Sequence, residues 1–210
     1  ILIMSSGGGF GSVPAYPYTL AENEEKCDGI RSDLFQVNTE LYMDNCLDVL
    51  TEWLHGLGMT LRAENSYGQL LEISQPIKSL DYVETESFEF NSEIDSFRGQ
   101  AGAAHLYNKV YSSETGAYDG ENYYRNNNYY RQLYYTQFAS GIQKTVLHGY
   151  SSAYGPEEHC SWPGYEGMQE IFSERFNKRQ PGAQDFAQIN EHLTRIQTAL
   201  MSGVPQMDVG

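Results

Sequence analysis

The sequence has 210 residues and a formal net charge of −15, which is enough chain for one domain with a single core. An acidic protein is not attracted to nucleic acids or anionic membranes, and no apolar run approaches the roughly 18 residues of a membrane-spanning helix. Residues 1–9 lack the basic start and the longer apolar segment of a signal peptide. They are typical of a strand entering a glycine-rich loop, so we expect the sequence to begin inside a domain.

Helical and strand-like patterns alternate along the chain. After a loop predicted over residues 12–30, predicted helices cover residues 32–57, 94–108, 129–142 and 186–200. Predicted strands cover residues 59–63, 82–86, 110–111, 144–149 and 204–209, with a further strand or turn at residues 70–73. The three cysteines are widely separated and show no metal-ligand spacing, and their odd number leaves at least one thiol free.

The order of these elements predicts an α/β fold with parallel strands joined by helical crossovers. Four helix–strand units in about 180 residues correspond to half of a (β/α)8 barrel of the TIM type, which needs roughly 250 residues. A doubly wound open sheet is the alternative architecture. Residues 7–11 have neither the P-loop ending nor the dinucleotide-binding fingerprint that such a sheet often carries.

Carboxylates stand where three predicted strands end, at Glu64, Glu86 and Glu114. In a barrel, the loops that follow the C-terminal ends of the strands carry the chemistry. A lone glutamate such as Glu114 is commonly a solvated loop residue, but its repetition at three strand ends favours a shared site. Glycosidases use two carboxyl groups, one protonated and one ionised. Another predicted strand ends on His148.

Short segments in a fixed order carry a resemblance to a known family. They are residues 61–64, 83–88, 103–107, 112–115, 146–150, 162–164, 175–177, 195–197 and 203–205, followed by Asp208. In this order they resemble glycoside hydrolase family 106, the α-L-rhamnosidase family. The resemblance covers roughly residues 35–210 and departs from the family pattern at two positions. Glu64 replaces a glutamine, and Val83 replaces a proline.

The resemblance implies that residues 1–210 are the C-terminal half of a catalytic (β/α)8 barrel. The chain would then be a fragment of a larger secreted, multidomain protein, inactive without the N-terminal half of the barrel. It also implies inverting hydrolysis of terminal α-L-rhamnose-like sugars from plant-type glycans, with a calcium ion near the site. The substrate would be an oligosaccharide or a glycoside.

The resemblance matches Glu86 and Glu114 to two late barrel glutamates, one of which would be the general base. Glu64 could hydrogen-bond a sugar hydroxyl or serve as a substitute acid. His148 could hydrogen-bond the sugar or a catalytic carboxylate, or be structural. Trp162 could stack on a sugar face or anchor a loop. The family's general acid has no counterpart in this sequence.

Two alternatives stay open: a retaining barrel glycosidase for another sugar, and a non-catalytic carbohydrate-binding barrel. Carboxyl groups roughly 5–5.5 Å apart would indicate retention. Residues 157–160 contain Glu, His and Cys side chains but lack the second histidine of a helical zinc motif. Asp208 could bind a metal or close the barrel floor.

Overall fold

The fold is taken from a computed structural model, which describes residues 2–4, 24–65, 71–88, 93–119, 123–150, 172–173, 176, 178 and 180–206. The strands are β1 (Leu2–Met4), β2 (Leu61–Glu64), β3 (Tyr82–Glu86), β4 (Val110–Thr115), β5 (Tyr118–Asp119), β6 (Lys144–Leu147) and β7 (Phe172–Ser173). The α-helices are α1 (Glu24–Tyr42), α2 (Asp48–Gly56), α3 (Ile94–Leu106), α4 (Asn127–Ala139) and α5 (Phe186–Ser202). No helix in these ranges is both long and apolar enough to cross a membrane.

The main sheet has the winding of a barrel. Its strand order is β1-β2-β3-β4-β6, and every neighbouring pair is parallel. Strands that follow one another in the chain are therefore neighbours in space, without the reversal of order that defines a doubly wound sheet. The predicted α/β fold with a partial barrel is confirmed. A small antiparallel pair, β5 with β7, lies outside this sheet.

The predicted strand at residues 82–86 coincides with β3, but several other boundaries differ. Helix α1 begins at Glu24, inside the predicted loop, and a π-helical turn, Met43–Leu47, separates it from α2. In the described part of the crossover from β2 to β3, residues 71–81, the helical structure is a 3-10 turn, Gln75–Ser79. Residues 71–73 and 204–206 form no strand, so the prediction of a last strand is wrong over its described part. Asp208 lies outside the described residues.

Alternate residues of each strand face the helices and form the hydrophobic core. Leu61 and Ala63 of β2 pack with Leu54 of α2, and Val83 and Tyr111 of β3 and β4 belong to the cluster around α3. Because side chains in a strand alternate between faces, the residues between these must point to the opposite face. That inner face carries Arg62, Glu64, Glu84, Glu86, Ser112 and Glu114.

A buried polar network fixes β4 against α4. Thr115 Oγ1 donates to Gln137 Oε1 at 2.8 Å, and Gln137 Nε2 donates to Ser113 Oγ at 2.7 Å. All three side chains are buried, and a buried polar network is favourable only when its members are satisfied. The network therefore holds Ser113 and Thr115 toward the helix layer, which leaves Glu114 on the inner face.

Candidate active site

The inner face brings three glutamates together. Glu64 of β2, Glu84 of β3 and Glu114 of β4 each offer a carboxylate oxygen, and these oxygens lie within 4.8 Å of one another. Glu64 stands opposite Glu84 in the register of the sheet, and Glu86 stands opposite Glu114. We call Glu64, Glu84 and Glu114 the carboxylate cluster. It lies toward the C-terminal ends of the strands, where barrel enzymes carry their chemistry.

The cluster holds one carboxyl group in its neutral form. Burial raises the pKa of Glu64 to about 9, and the negative charges of Glu114, Glu86 and Glu84 act in the same direction. A hydrogen bond between Glu64 and Glu114 also favours the protonated form of Glu64. Because this bond opposes the rise in the pKa of Glu114, Glu64 donates the proton and Glu114 accepts it as a carboxylate.

Arg62 supplies the positive charge of the site. Its Nε lies 2.6 Å from Glu84 Oε2, and both side chains are almost buried. Burial raises the pKa of Glu84, and the charge of Arg62 opposes that rise. Burial likewise raises the pKa of Glu114, against the effects of Glu64 and Arg62. The inner face is thus a buried group of acids with one closely paired cation.

The structure places four of the five predicted site residues in or beside the cluster. Glu64 and Glu114 belong to it, Glu86 is buried on the same face, and His148 Nε2 lies 3.8 Å from Glu114 Oε1. Glu114 lies within β4 rather than in a loop, and its side chain is only 29% exposed, so it is not a solvated loop residue. Trp162 lies outside the described residues.

Arg62 and Glu84 have no predicted role, although a simple pattern in the sequence marks their position. Each stands two positions before a strand-end glutamate, Glu64 or Glu86, and therefore shares its face of the sheet. The strand-end carboxylates alone suggested three acids. The full inner face adds the fourth acid and the arginine that partly neutralises it.

Glycine and backbone contacts hold the end of β4 in place. Gly116 has a φ of +110°, and a Cβ there would lie 2.6 Å from the ring of Phe176 and 3.0 Å from the carbonyl oxygen of His148. The Ser87 amide donates to the carbonyl oxygen of Glu114 at 2.7 Å, and the Gly116 amide donates to Ser87 Oγ at 3.0 Å. These contacts fix the strand ends that present Glu86, Glu114 and His148.

The oxygen-only donor set of the carboxylate cluster fits a hard cation such as Ca²⁺, which binds roughly six to eight oxygens. All three carboxyl groups have raised pKa values, which shows that the site disfavours their negative charges. A divalent cation would offset that cost. Three glutamates would leave other coordination positions for water or sugar hydroxyls.

The neutral state of Glu64 predicts a specific dependence of stability on pH. The folded protein keeps this proton up to about pH 9, whereas the unfolded chain loses it near the ordinary value of 4.5. The folded state therefore holds more protons in this window, and the free energy of unfolding should fall as pH rises through it. Glu64→Gln, which keeps a donor toward Glu114, should make this fall shallower.

Urea denaturation at intervals from pH about 5 to about 9 measures this fall in the free energy of unfolding. The range covers the interval between the ordinary and the raised pKa of Glu64. Glu52→Gln, at an exposed position of α2, is the matched control and should keep the wild-type slope. Any fall in the free energy of unfolding with pH that remains in Glu64→Gln would come from Glu84 and Glu114. Equal slopes for the wild type and Glu64→Gln would show that Glu64 is ionised in the folded protein.

No family model and no curated protein matches this sequence. Among solved structures, the rhamnosidase from Novosphingobium sp. PP1Y matches with a TM-score of 0.65 and 17% sequence identity. The match covers 79% of this chain and 16% of the rhamnosidase chain. At this identity it shows that the two proteins share the fold over the matched region. The chain therefore spans only a small part of the length of that protein.

Proposed function

We propose that this chain is part of a larger glycoside hydrolase that removes terminal α-L-rhamnose-like sugars from plant-type glycans with inversion. The observation that carries the proposal is the group of acids, Glu64, Glu84 and Glu114 with Glu86 opposite Glu114, gathered toward the C-terminal ends of barrel strands. The fold shared with a rhamnosidase supports the choice of sugar. Family 106 is the family we propose, and a secreted location goes with it.

In the proposed reaction, Glu114 is the general base. The carboxylate takes a proton from a water molecule as the water oxygen bonds to the anomeric carbon. The bond from that carbon to the leaving oxygen breaks with its electron pair on the oxygen, which takes a proton from a general acid. Glu86, opposite Glu114 in the sheet register, is the second candidate for the base.

The close contact between Glu64 and Glu114 shows whether Glu64 could be the general acid that works with Glu114 as the base. Inverting enzymes hold their acid and base roughly 6.5–9.5 Å apart so that the sugar and a water fit between them. Glu64 and Glu114 are hydrogen-bonded to each other, so they lie on one side of the scissile bond. The acid that protonates the leaving group would therefore come from another strand of the barrel. Glu64 would hold the Glu114 carboxylate in place and hydrogen-bond a sugar hydroxyl.

His148 and Trp162 complete the proposed sugar site. His148 Nε2, 3.8 Å from Glu114 Oε1, can reach that carboxylate or a sugar hydroxyl after a small shift. Trp162 is proposed to stack on the sugar ring, as aromatic side chains do on apolar ring faces.

Calcium is proposed as the cofactor, bound near the carboxylate cluster. When bound, the ion would attract sugar hydroxyls and offset part of the negative charge of the cluster. Arg62 would continue to neutralise Glu84. Removal of calcium with EGTA is expected to lower kcat/KM for an aryl α-L-rhamnoside, and added calcium should restore it. No change after chelation would exclude this role for the ion.

A non-catalytic carbohydrate-binding barrel is the second candidate function. The observation that favours it is that Glu64 and Glu84 each have a carboxylate oxygen within 4.8 Å of one of Glu114, closer than the roughly 6.5–9.5 Å at which an inverting enzyme holds its acid and base. Such a protein would bind rhamnosides without cleaving them. A retaining enzyme for another sugar is the third candidate.

A panel of aryl glycosides tests the proposal in the full-length protein. We expect release of the aryl alcohol from 4-nitrophenyl α-L-rhamnopyranoside and little from the β-D-glucoside or α-L-arabinofuranoside. Cleavage of a different glycoside in preference would overturn the rhamnoside specificity. Binding of the rhamnoside without cleavage would favour the non-catalytic alternative.

A further inference from the structure

A pocket lies at the same end of the sheet as the carboxylate cluster. It has a volume of about 540 Å³ and is lined by residues 123–128 and 131, around the start of α4, and by residues 180–182, 184 and 185, before α5. Because α4 leads from the end of β4 back toward the start of β6, its first residues lie beside the C-terminal ends of the strands. A bound glycan could therefore reach both the cluster and this pocket.

Gln180 is a buried residue of the pocket with one unmatched donor. It is only 4% exposed and lines the pocket. Its Oε1 accepts a hydrogen bond from the Gly182 amide at 2.9 Å, whereas its Nε2 has no hydrogen-bond partner among the residues that the structure describes. An unmatched buried donor costs roughly 1–3 kcal/mol, so the site gains from a ligand that brings an acceptor.

Arg131 adds positive charge at the rim. Its exposed side chain lines the pocket and forms no ion pair with any residue that the structure describes. Arg125 lies over the ring of Tyr129 at 4.7 Å and over that of Tyr124 at 5.4 Å, so its guanidinium is held beside two aromatic rings. Two arginines in one pocket contrast with the net charge of −15 for the chain. Asp185 is the acid that shares the pocket.

The walls of the pocket are held by specific contacts. Asn127 Nδ2 donates to the Gly182 carbonyl oxygen at 3.2 Å and to Asp185 Oδ2 at 3.1 Å. A Cβ on Gly182 would meet the side-chain amide of Asn127, which would have to shift, so the two walls lie in close contact here. Asn126 caps α4 by accepting from the amides of Asn128 and Tyr129. Asp185 therefore has a fixed hydrogen-bond partner in Asn127, whereas Gln180 Nε2 has none within the described part of the chain, and the exposed Arg131 is free to pair with a ligand.

We infer that this pocket binds an acidic sugar unit, a uronic acid, of the glycan that the enzyme acts on. The inference rests on the proposed function for the glycan, but the pocket itself does not depend on the carboxylate cluster. A sugar carboxylate would accept hydrogen bonds from Arg131 and Gln180 Nε2, a charge-assisted arrangement stronger than neutral pairs. The exposed ring of Tyr124 would contact the apolar face of the sugar.

Binding of trigalacturonic acid to the full-length protein, measured by isothermal titration calorimetry, tests the inference. The matched neutral probe is fully methyl-esterified trigalacturonide, which removes the charges and keeps the sugar rings. We expect the acid to bind with a Kd in roughly the millimolar range and the ester to bind about tenfold more weakly. Acetate should not bind at the same concentrations, because it lacks the sugar ring.

Two variants separate a binding role from a structural one. Arg131→Gln, at an exposed position, should weaken binding of the acid about tenfold without affecting the ester. Gln180→Glu keeps the oxygen that accepts from Gly182 but replaces the donor with a negative charge, so it should abolish binding of the acid. Arg98→Gln, which removes an exposed arginine of α3, should bind as the wild type does.

The outcomes distinguish this inference from the proposed function. Glu114→Gln should bind trigalacturonic acid with wild-type affinity, since Glu114 does not line the pocket. Equal affinity for the acid and its ester, no binding of the acid, equal binding of acetate, or an unchanged affinity in Arg131→Gln would each overturn the inference. None of these results would alter the assignment of the carboxylate cluster.

Discussion

Replacing Glu114 with glutamine is expected to lower kcat on an aryl α-L-rhamnoside by about 10²–10⁴-fold while leaving KM nearly unchanged, because a general base contributes about that much. Glutamine keeps the size of the side chain and can accept a hydrogen bond from Glu64, but it cannot take a proton from water. The loss should therefore be chemical rather than structural. Steady-state kinetics of the full-length protein measure it, with melting temperature as the check on folding.

Two further variants complete the experiment on the base. Glu52→Gln, exposed on α2, is the control for a Glu-to-Gln change away from the site and should keep full activity. Glu86→Gln decides between the two candidate bases, because a large loss there with an active Glu114→Gln would move the role to Glu86. Activity within about threefold of the wild type in both variants would remove the catalytic role from this pair, since a base contributes far more.

A large loss of stability is expected for Arg62→Met. Arg62 and Glu84 are 12% and 3% exposed and form a close ion pair, and removing one partner of a buried pair costs about 3–5 kcal/mol of unfolding free energy. The cost should be smaller near pH 5, because burial already raises the pKa of Glu84 and its proton then removes the unpaired charge. Urea denaturation at several pH values measures both effects.

The double variant Arg62→Met with Glu84→Gln is the matched control. It removes both charges, so most of the lost stability should return. A single Arg62→Met variant that is destabilised by less than about 1 kcal/mol would show that the pair behaves as an exposed salt bridge does. The electrostatic description of the inner face would then be wrong.

The strand-end carboxylates were predictable from the sequence because strands have a strict two-residue period. The alternation over residues 82–86 predicts β3 with its observed bounds, and the strand patterns place Glu64, Glu86 and Glu114 on neighbouring strands, as the structure has them. Parallel winding follows from the order of elements. These features depend on local patterns and on topology rather than on distances.

Features that depend on three-dimensional distances were not predictable in the same way. The proton shared by Glu64 and Glu114 requires burial and contact between residues 50 positions apart. The early start of α1 at Glu24 and the π-helical turn that follows were missed because the charged residues 22–26 are typical of a loop. The pocket around Gln180 combines two polar loops, each of which is unremarkable by itself in the sequence.

The configuration of the first sugar released tests the central claim most directly. Proton NMR can follow hydrolysis of 4-nitrophenyl α-L-rhamnopyranoside by the full-length protein before the free sugar mutarotates. Our account predicts that β-L-rhamnose appears first, and that its rate of appearance collapses in Glu114→Gln. Initial release of α-L-rhamnose would show retention and contradict the account, and so would release of the β-anomer at an unchanged rate in both Glu114→Gln and Glu86→Gln.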